Sequence, residues 1–223
     1  MYGLQSTCRP LSLWGYLMNP YETFNVGPYC VEIYQDEDVH ESPADWESAL
    51  KIVTTRNRYF EQNPKQLPES KDELKELERT YWVFPLYMYV HSGVALSLGS
   101  SSYPFNCPWD SGQVGFVLVP KPHAHKAAEK SWRYSKAAHK AAQSYVDTWN
   151  MYLSGDIWGY VITVESKDLD ADLEEDENET LDVDSCWGFY GLEYCKQEAR
   201  EAAEYHWKRE REESAKIKAV MHV

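Results

Sequence analysis

The stretch that decides the fold lies between residues 81 and 119. It begins with YWVFPLYMYV (81–90), turns at HSG, and continues with VALSL (94–98). After a second loop, QVGFVLV (113–119) has the same aromatic and apolar character. Runs of aromatic and β-branched residues that are separated by glycine-containing turns are typical of antiparallel strands. We therefore predict a central strand, its hairpin partner and a further strand in this stretch.

Two capping patterns predict helices before these strands. Ser42 and Asp45 have the spacing of a capping box, with Pro43 at the first helical position. The apolar residues that follow at helical spacing are Trp46, Ala49, Leu50 and Val53. A second box, Ser70 to Glu73, opens a short charged helix that carries Leu74 and Leu77. Between residues 30 and 35, alternating apolar positions predict another strand.

The C-terminal half adds two helices and one hairpin. We predict the longest helix over residues 125–153, because apolar residues recur there every three or four positions. Its inward stripe is Ala128, Trp132, Ser135, Ala138, Ala142, Tyr145, Trp149 and Tyr152. Residues 157–165 and 181–189 predict a hairpin around an acidic segment, and a final helix begins near Leu192. We expect its highly charged part (208–218) to project or fray.

These elements predict the α+β class, with an antiparallel sheet of hairpins packed against one long helix and several shorter ones. We assign residues 1–29 to an N-terminal segment and residues 30–207 to a single domain. The acidic loop 165–184 is inserted in a hairpin of that domain. Residues 208–223 form a charged helical extension.

Composition favours a folded, cytoplasmic protein. The chain has 223 residues, of which 43% are hydrophobic and 14% aromatic. It contains no apolar run of the roughly 18 residues that a membrane span needs, and its N-terminus lacks the pattern of a secretory signal. The five cysteines are an odd number without CxxC pairs, which favours reduced thiols over a disulfide framework.

Charge is distributed unevenly. The net charge is −14, and eleven acids with one lysine between Glu165 and Asp184 account for −10 of it. A mimic of duplex DNA needs carboxylates spread over a rigid face, so a single acidic loop argues against that class. Residues 121–140 carry +5, from five lysines, one arginine and one glutamate. This basic run is either a binding surface for an acidic partner or, as we favour, the solvated face of a helix.

Several motifs occur in a fixed order along the chain. They are HSG (91–93), CPWDSGQVG (107–115), LSGDIWGY (153–160) and SCWGFYG (185–191), preceded by an N-terminal block at residues 35–46. In these motifs the chain resembles a group of uncharacterised proteins that phages and other mobile elements of bacteria encode. The resemblance covers most of residues 30–205 and implies a mobile-element origin without implying an activity. Val90 stands where similar proteins often have an acidic residue before HSG.

The motifs suggest a candidate site but no complete catalytic set. Cys107 and His91 could form a thiolate–imidazolium pair, although a buried thiol beside a turn is the more common arrangement. Asp110 could act as a general base or simply stabilise a turn with Ser111 and Gly112. The residues that we assign to a candidate binding surface are His91, Ser92, Cys107, Trp109, Asp110, Gln113, Trp187 and Tyr190.

We expect neither a metal nor a cofactor. His123 and His125 are separated by one residue, but His125 and His139 would lie about 21 Å apart along the predicted helix, so these two cannot bind one ion together. Asp168, Asp170, Asp172 and Glu179 match acidic positions of a calcium loop, but Leu173 replaces the required glycine. No phosphate loop is present, and no signature of sequence-specific nucleic-acid recognition accompanies the aromatic residues.

These observations leave hypotheses from different classes. The favoured one is a non-enzymatic accessory protein of a phage or mobile element that binds a host protein, of the anti-restriction or anti-CRISPR type. The alternative is a protein that binds or hydrolyses a small nucleotide through His91, Asp110, Gln113 and Trp109. A third is a charge-driven decoy that acts through residues 165–184. The sequence does not predict the oligomeric state.

Overall fold

The computed structural model describes residues 19–38, 41–46, 48–54, 67–68, 70–99, 103–107, 109–121, 131–165 and 180–221, without the side chains of 131–134. In chain order its elements are β1 Glu22–Val26, β2 Tyr29–Gln35, β3 Lys51–Thr54, α1 Lys71–Thr80, β4 Tyr81–Val90, β5 Val94–Leu98, β6 Ser111–Pro120, α2 Ser131–Ser154, β7 Ile157–Glu165, β8 Thr180–Tyr190 and α3 Leu192–Met221. All the strand pairs are antiparallel. The predicted α+β class is confirmed.

The chain divides into two compact units. Unit 1 comprises Met1–Val39 and Asp156–Val223, and unit 2 comprises His40–Gly155. The sheet of unit 1 has the strand order β1-β2-β7-β8, and the sheet of unit 2 has the order β3-β6-β4-β5. The assignment of residues 30–207 to one domain stays a prediction.

Unit 2 is organised around the face of its sheet that α2 covers. Leu86 and Met88 of β4 join Leu96, Val117 and the α2 residues Ala138, Ala142, Tyr145, Val146 and Trp149 in one buried cluster. Four of these α2 residues belong to the predicted stripe: Ala138, Ala142, Tyr145 and Trp149. They confirm that the stripe faces the core over the described part of α2. The predicted hairpin is confirmed by the pairing of Val90 with Val94.

Unit 1 is organised around α3 in the same way. Val31 and Ile33 of β2, with Tyr160, Ile162 and Phe189, form its buried cluster against α3. The α3 residues in this cluster are small: Cys195, Ala199 and Ala203. The predicted hairpin at 157–165 and 181–189 is confirmed by the pairing of β7 with β8.

The first predicted helix is wrong. The capping interactions form, since Ser42 N–H donates to Asp45 Oδ2 at 2.9 Å and Ala44 N–H donates to Ser42 Oγ at 3.1 Å. However, the chain makes only a turn there, and β3 follows. Val53 pairs with Phe116 of β6, so sheet pairing replaces helix formation in this segment.

The second capping box is confirmed. Ser70 caps α1, because its side chain accepts a hydrogen bond from the Glu73 N–H. At the other end of the chain, α3 continues through the charged residues to Met221 and has 30 residues, against 24 described for α2. Residues 180–184 of the predicted acidic loop belong to β8 and Glu165 belongs to β7, and residues 166–179 lie outside the described residues. Residues 125–130 of the predicted long helix also lie outside them.

Candidate functional site

The candidate site of unit 2 lies where β4 ends and β6 begins. Tyr89 of β4 pairs with Ser111 of β6, and the Val90 N–H donates to the Asp110 carbonyl oxygen at 2.9 Å. These contacts bring the HSG turn close in space to the turn that precedes β6. The two motifs are therefore neighbours, as a shared site requires.

The HSG turn presents its polar groups to solvent. His91, Ser92 and Gly93 are exposed, and the His91 N–H donates to the Gly93 carbonyl oxygen at 3.1 Å. The imidazole ring lies nearly parallel to the ring of Tyr89, with centroids 6.3 Å apart and an interplanar angle of 7°. The ring of Tyr89 thus lies beside the imidazole.

Hydrogen bonds link Cys107, Asp110 and Ser111 at the turn that precedes β6. The Cys107 thiol donates to Asp110 Oδ2 at 3.4 Å, and the Ser111 hydroxyl donates to the Cys107 carbonyl oxygen. The Tyr103 hydroxyl shares a hydrogen bond of 2.8 Å with the Ser111 hydroxyl. Several bonds within one short turn reduce its conformational freedom before any ligand arrives.

The side chain of Trp109 projects from this hydrogen-bonded turn. Its side chain is 93% exposed, and the neighbouring Asp110 and Gln113 are also exposed. A large aromatic ring that has almost no contact with its own chain is unusual, because burying such a ring is strongly favourable. The tip of the site is therefore convex, with an apolar ring beside a carboxylate.

An aromatic cluster that the sequence analysis does not assign lies next to this turn. Tyr89 stacks on Phe105 at 5.6 Å, and Tyr87 makes an edge contact with Tyr103 at 5.2 Å. The alternation along β4 could have predicted it, because Leu86 and Met88 face the core, which places Tyr87, Tyr89 and His91 on the opposite side. Tyr103 and Phe105 carry no comparable signal in the sequence.

The side chains of the proposed catalytic pair have other partners. The Cys107 thiol contacts Asp110, and the His91 ring contacts Tyr89. Within the described residues, no hydrogen bond joins His91 to Cys107 or to Asp110.

Trp187 and Tyr190 belong to unit 1, where they lie on β8. The ring of Trp187 lies against Gly159, since a Cβ atom at that glycine would come within 2.2 Å of the ring. Trp187 is half-buried and lies 6.0 Å from the ring of Tyr34. The Tyr190 side chain is only 9% exposed, so it offers little contact area. A surface that joins these residues to the Trp109 turn stays a prediction.

Metal ligands do not converge in the described part of the chain. No group of three or more His, Cys, Asp or Glu side chains there could hold an ion. His139 is exposed and makes an edge contact with Phe84 at 5.5 Å. The other predicted candidates, His123, His125, Asp168, Asp170, Asp172 and Glu179, lie outside the described residues. None of the described helices has both the length and the apolar character that crossing a membrane requires.

Comparison of the chain with models of protein families, with curated proteins and with solved structures finds no match.

Proposed function

We propose that this protein is a non-enzymatic binding protein that captures a partner protein through the Trp109 turn (Cys107–Ser111). The observation that carries the proposal is the combination of a ring that is 93% exposed with a backbone that is held by several hydrogen bonds. Exposed tryptophan on a preorganised turn suits insertion into an apolar pocket of a partner. Tryptophan is among the residues that most often dominate the energy of protein interfaces.

The turn also supplies a polar rim for such an interface. Asp110 is exposed next to Trp109, and His91 and Ser92 lie on the neighbouring turn. An apolar anchor that is surrounded by polar groups matches the usual arrangement of an interface core and its rim. Because the protein carries a net charge of −14, a basic surface around the partner's pocket would favour association.

The partner that we propose is a protein of the host cell. The resemblance to proteins of phages and mobile elements supports this choice, because accessory proteins of such elements act on host factors. An inhibitor of a defence system, acting in the host cytoplasm, is the specific form of this proposal. Among the described site residues, no hydrogen bond joins His91 to Cys107 or to Asp110, and this supports binding over catalysis by the predicted pair of Cys107 and His91.

The alternative of a small nucleotide has less support. A nucleotide pocket encloses most of its ligand, whereas a Trp109 ring that is 93% exposed can cover only one face of a base. A protein partner can enclose the same ring from every side. The shape of the turn therefore favours the protein partner.

Affinity capture from a host lysate, followed by native mass spectrometry, tests the proposal. The bait proteins are the unchanged chain, Trp109→Ala and the control Tyr205→Ala, which removes another aromatic ring that is 63% exposed. We expect a host polypeptide that binds the unchanged chain and the control. The amount captured by Trp109→Ala should be lower by at least about tenfold. Matching thermal unfolding curves would show that the fold is retained.

Two results would count against this function. Equal capture by Trp109→Ala and the unchanged chain would show that the turn is not the binding surface. A bound mass of a few hundred daltons that disappears in Trp109→Ala would identify a small ligand such as a nucleotide, and the alternative would replace the proposal.

A further inference from the structure

The edge strands β5 of unit 2 and β8 of unit 1 differ in how far their outer backbone groups are covered. In unit 2 the edge strand β5 is blocked by a side chain of α2. Asn150 Oδ1 accepts a hydrogen bond from the Leu96 N–H at 2.8 Å, and Asn150 Nδ2 donates to the Leu96 carbonyl oxygen at 3.0 Å. This amide satisfies both backbone groups that an added strand would use at Leu96. Such covering of an edge prevents unwanted pairing.

In unit 1 the edge strand β8 is long and partly exposed. It has 11 residues, against five for the opposite edge β1 and four for β3 in unit 2. Thr180, Leu181 and Asp182 at its start are exposed, with Leu181 at 51%. Among the described residues, no strand lies on the outer side of β8. The backbone at its start is therefore a template for another strand.

The register separates charged and apolar side chains along this edge. Asp182 pairs with Thr163 and Thr180 pairs with Glu165, so these side chains share the face of the sheet that is turned away from α3. Leu181 pairs with Val164, which packs against the α3 cluster together with Val183. From Thr180 to Val183, one face of the edge is thus acidic and the other face is apolar. A register shift follows, after which Asp184 pairs with Ile162 and its carboxylate lies 3.4 Å from His206 of α3.

The negative potential on the acidic face affects a neighbouring thiol. Cys30 of β2 pairs with Thr163 on the same face. Burial raises the pKa of the Cys30 thiol, and the nearby carboxylates of Glu32 and Glu165 raise it further. A second copy of β8 would bring Asp182 and its neighbours against like charges, which disfavours pairing between copies.

We propose that the Thr180–Val183 edge of β8 binds an extended basic segment of a partner protein by strand addition. Main-chain hydrogen bonds provide affinity in this mode, and alternate side chains provide specificity. A lysine or arginine would lie opposite Asp182, and apolar residues would lie next to Leu181 and Val183. The local charge of −10 between Glu165 and Asp184 attracts such a segment and speeds its association.

A labelled peptide of about nine alternating lysine and valine residues is the probe. Its binding to the full chain is followed by fluorescence anisotropy at low and moderate salt. A peptide of the same sequence with every backbone nitrogen methylated keeps the charges but cannot donate main-chain hydrogen bonds. We expect saturable binding of the first peptide and a loss of at least about tenfold for the methylated one.

Matched variants locate the site. Asp182→Asn removes one carboxylate from the edge, whereas Glu76→Gln removes an exposed carboxylate from α1 of unit 2 with the same change in net charge. We expect the first to weaken binding about threefold to fivefold and the second to leave it unchanged. Hydrogen exchange of the backbone at 180–183 should slow when the peptide is bound.

Three outcomes would overturn the inference: no binding, equal binding of the methylated peptide, or equal weakening by both variants. The last two would show attraction to charge without strand addition. The test is independent of the Trp109 turn, because Trp109→Ala should bind the peptide as the unchanged chain does.

Discussion

Units 1 and 2 both place one long helix on one face of a four-stranded antiparallel sheet. They differ in which element supplies the large buried side chains, the helix or the sheet. In unit 2 the helix supplies the bulk, because Trp149 and Tyr145 of α2 are buried against aliphatic strand residues. In unit 1 the sheet supplies the bulk through Tyr160, Trp158 and Phe189, and α3 buries only small residues. The same architecture therefore has two packing solutions, which respond differently to mutation.

The largest expected effect is in the core of unit 2. Trp149 is 0% exposed and makes edge contacts with Tyr145 and Tyr152 at 6.5 and 5.9 Å. Trp149→Ala should lower the free energy of unfolding by about 3–5 kcal/mol, because it removes this burial and leaves a cavity. Urea denaturation measures the effect. The control Trp109→Ala should change it by less than about 0.5 kcal/mol; similar losses would mean that the Trp109 ring is not exposed.

A glycine pair in β6 gives the next effect. At Gly115 a Cβ atom would come within 1.9 Å of the Val53 carbonyl oxygen on β3, whereas at Gly112 no atom lies within 4 Å. Gly115→Ala must therefore separate β3 from β6, and we expect a loss of about 3 kcal/mol. Gly112→Ala in the same strand should be nearly neutral. Equal thermal stability of the two variants would contradict the pairing of β3 with β6.

The corresponding test in unit 1 adds a side chain instead of removing one. Ala199 of α3 is 0% exposed, so Ala199→Leu should force the helix away from the sheet and cost about 1–3 kcal/mol. Ala215→Leu, on the exposed end of the same helix, should cost less than about 0.5 kcal/mol. If urea denaturation gave the same midpoint for both variants, close packing of α3 on its sheet would be wrong.

Local patterns predict much of this fold because most elements follow one periodicity each. The strands of the 81–119 stretch and the inward stripe of α2 need no information from distant residues. The segment after Ser42 is different: its capping bonds are real and the spacing of Leu50 and Val53 fits a helix, but the adjacent β-branched residues Ile52 and Val53 favour a strand. Pairing with β6, more than 60 residues away, decides between them, and no local pattern contains that information.

The candidate site is less predictable than the fold. The sequence places the HSG and CPWDSG motifs beside strands but does not predict whether the two motifs converge; the pairing of β4 with β6 makes them neighbours. Exposure is harder to predict: Trp109 is 93% exposed and Trp149 is 0% exposed, although the residue type is the same. The Cys107–Asp110 hydrogen bond depends on the conformation of one turn, which the sequence alone does not specify.

The smallest effect is a dependence of stability on pH in unit 1. Among its described residues, the side chains with a raised pKa include Tyr29, Cys30, Tyr34, Tyr194 and Cys195. Burial is the largest cause for each. For Cys195 it raises the pKa from 9.0 to about 12, with smaller contributions from Cys186 and Glu198. Keeping this thiol neutral stabilises the folded state fully below pH 9.0, where the unfolded thiol is also protonated.

Above that pH the unfolded thiol ionises while the folded one does not, so stability should fall until the pH reaches the folded pKa. One proton accounts for at most about 1.4 kcal/mol per pH unit in this window. Urea denaturation between about pH 8 and pH 11 should therefore show a steeper alkaline loss for the unchanged chain than for Cys195→Ala. The variant has a lower baseline because of its small cavity, but the comparison concerns the slope. Identical slopes would show that the Cys195 thiol ionises as readily in the folded core of unit 1 as in the unfolded chain.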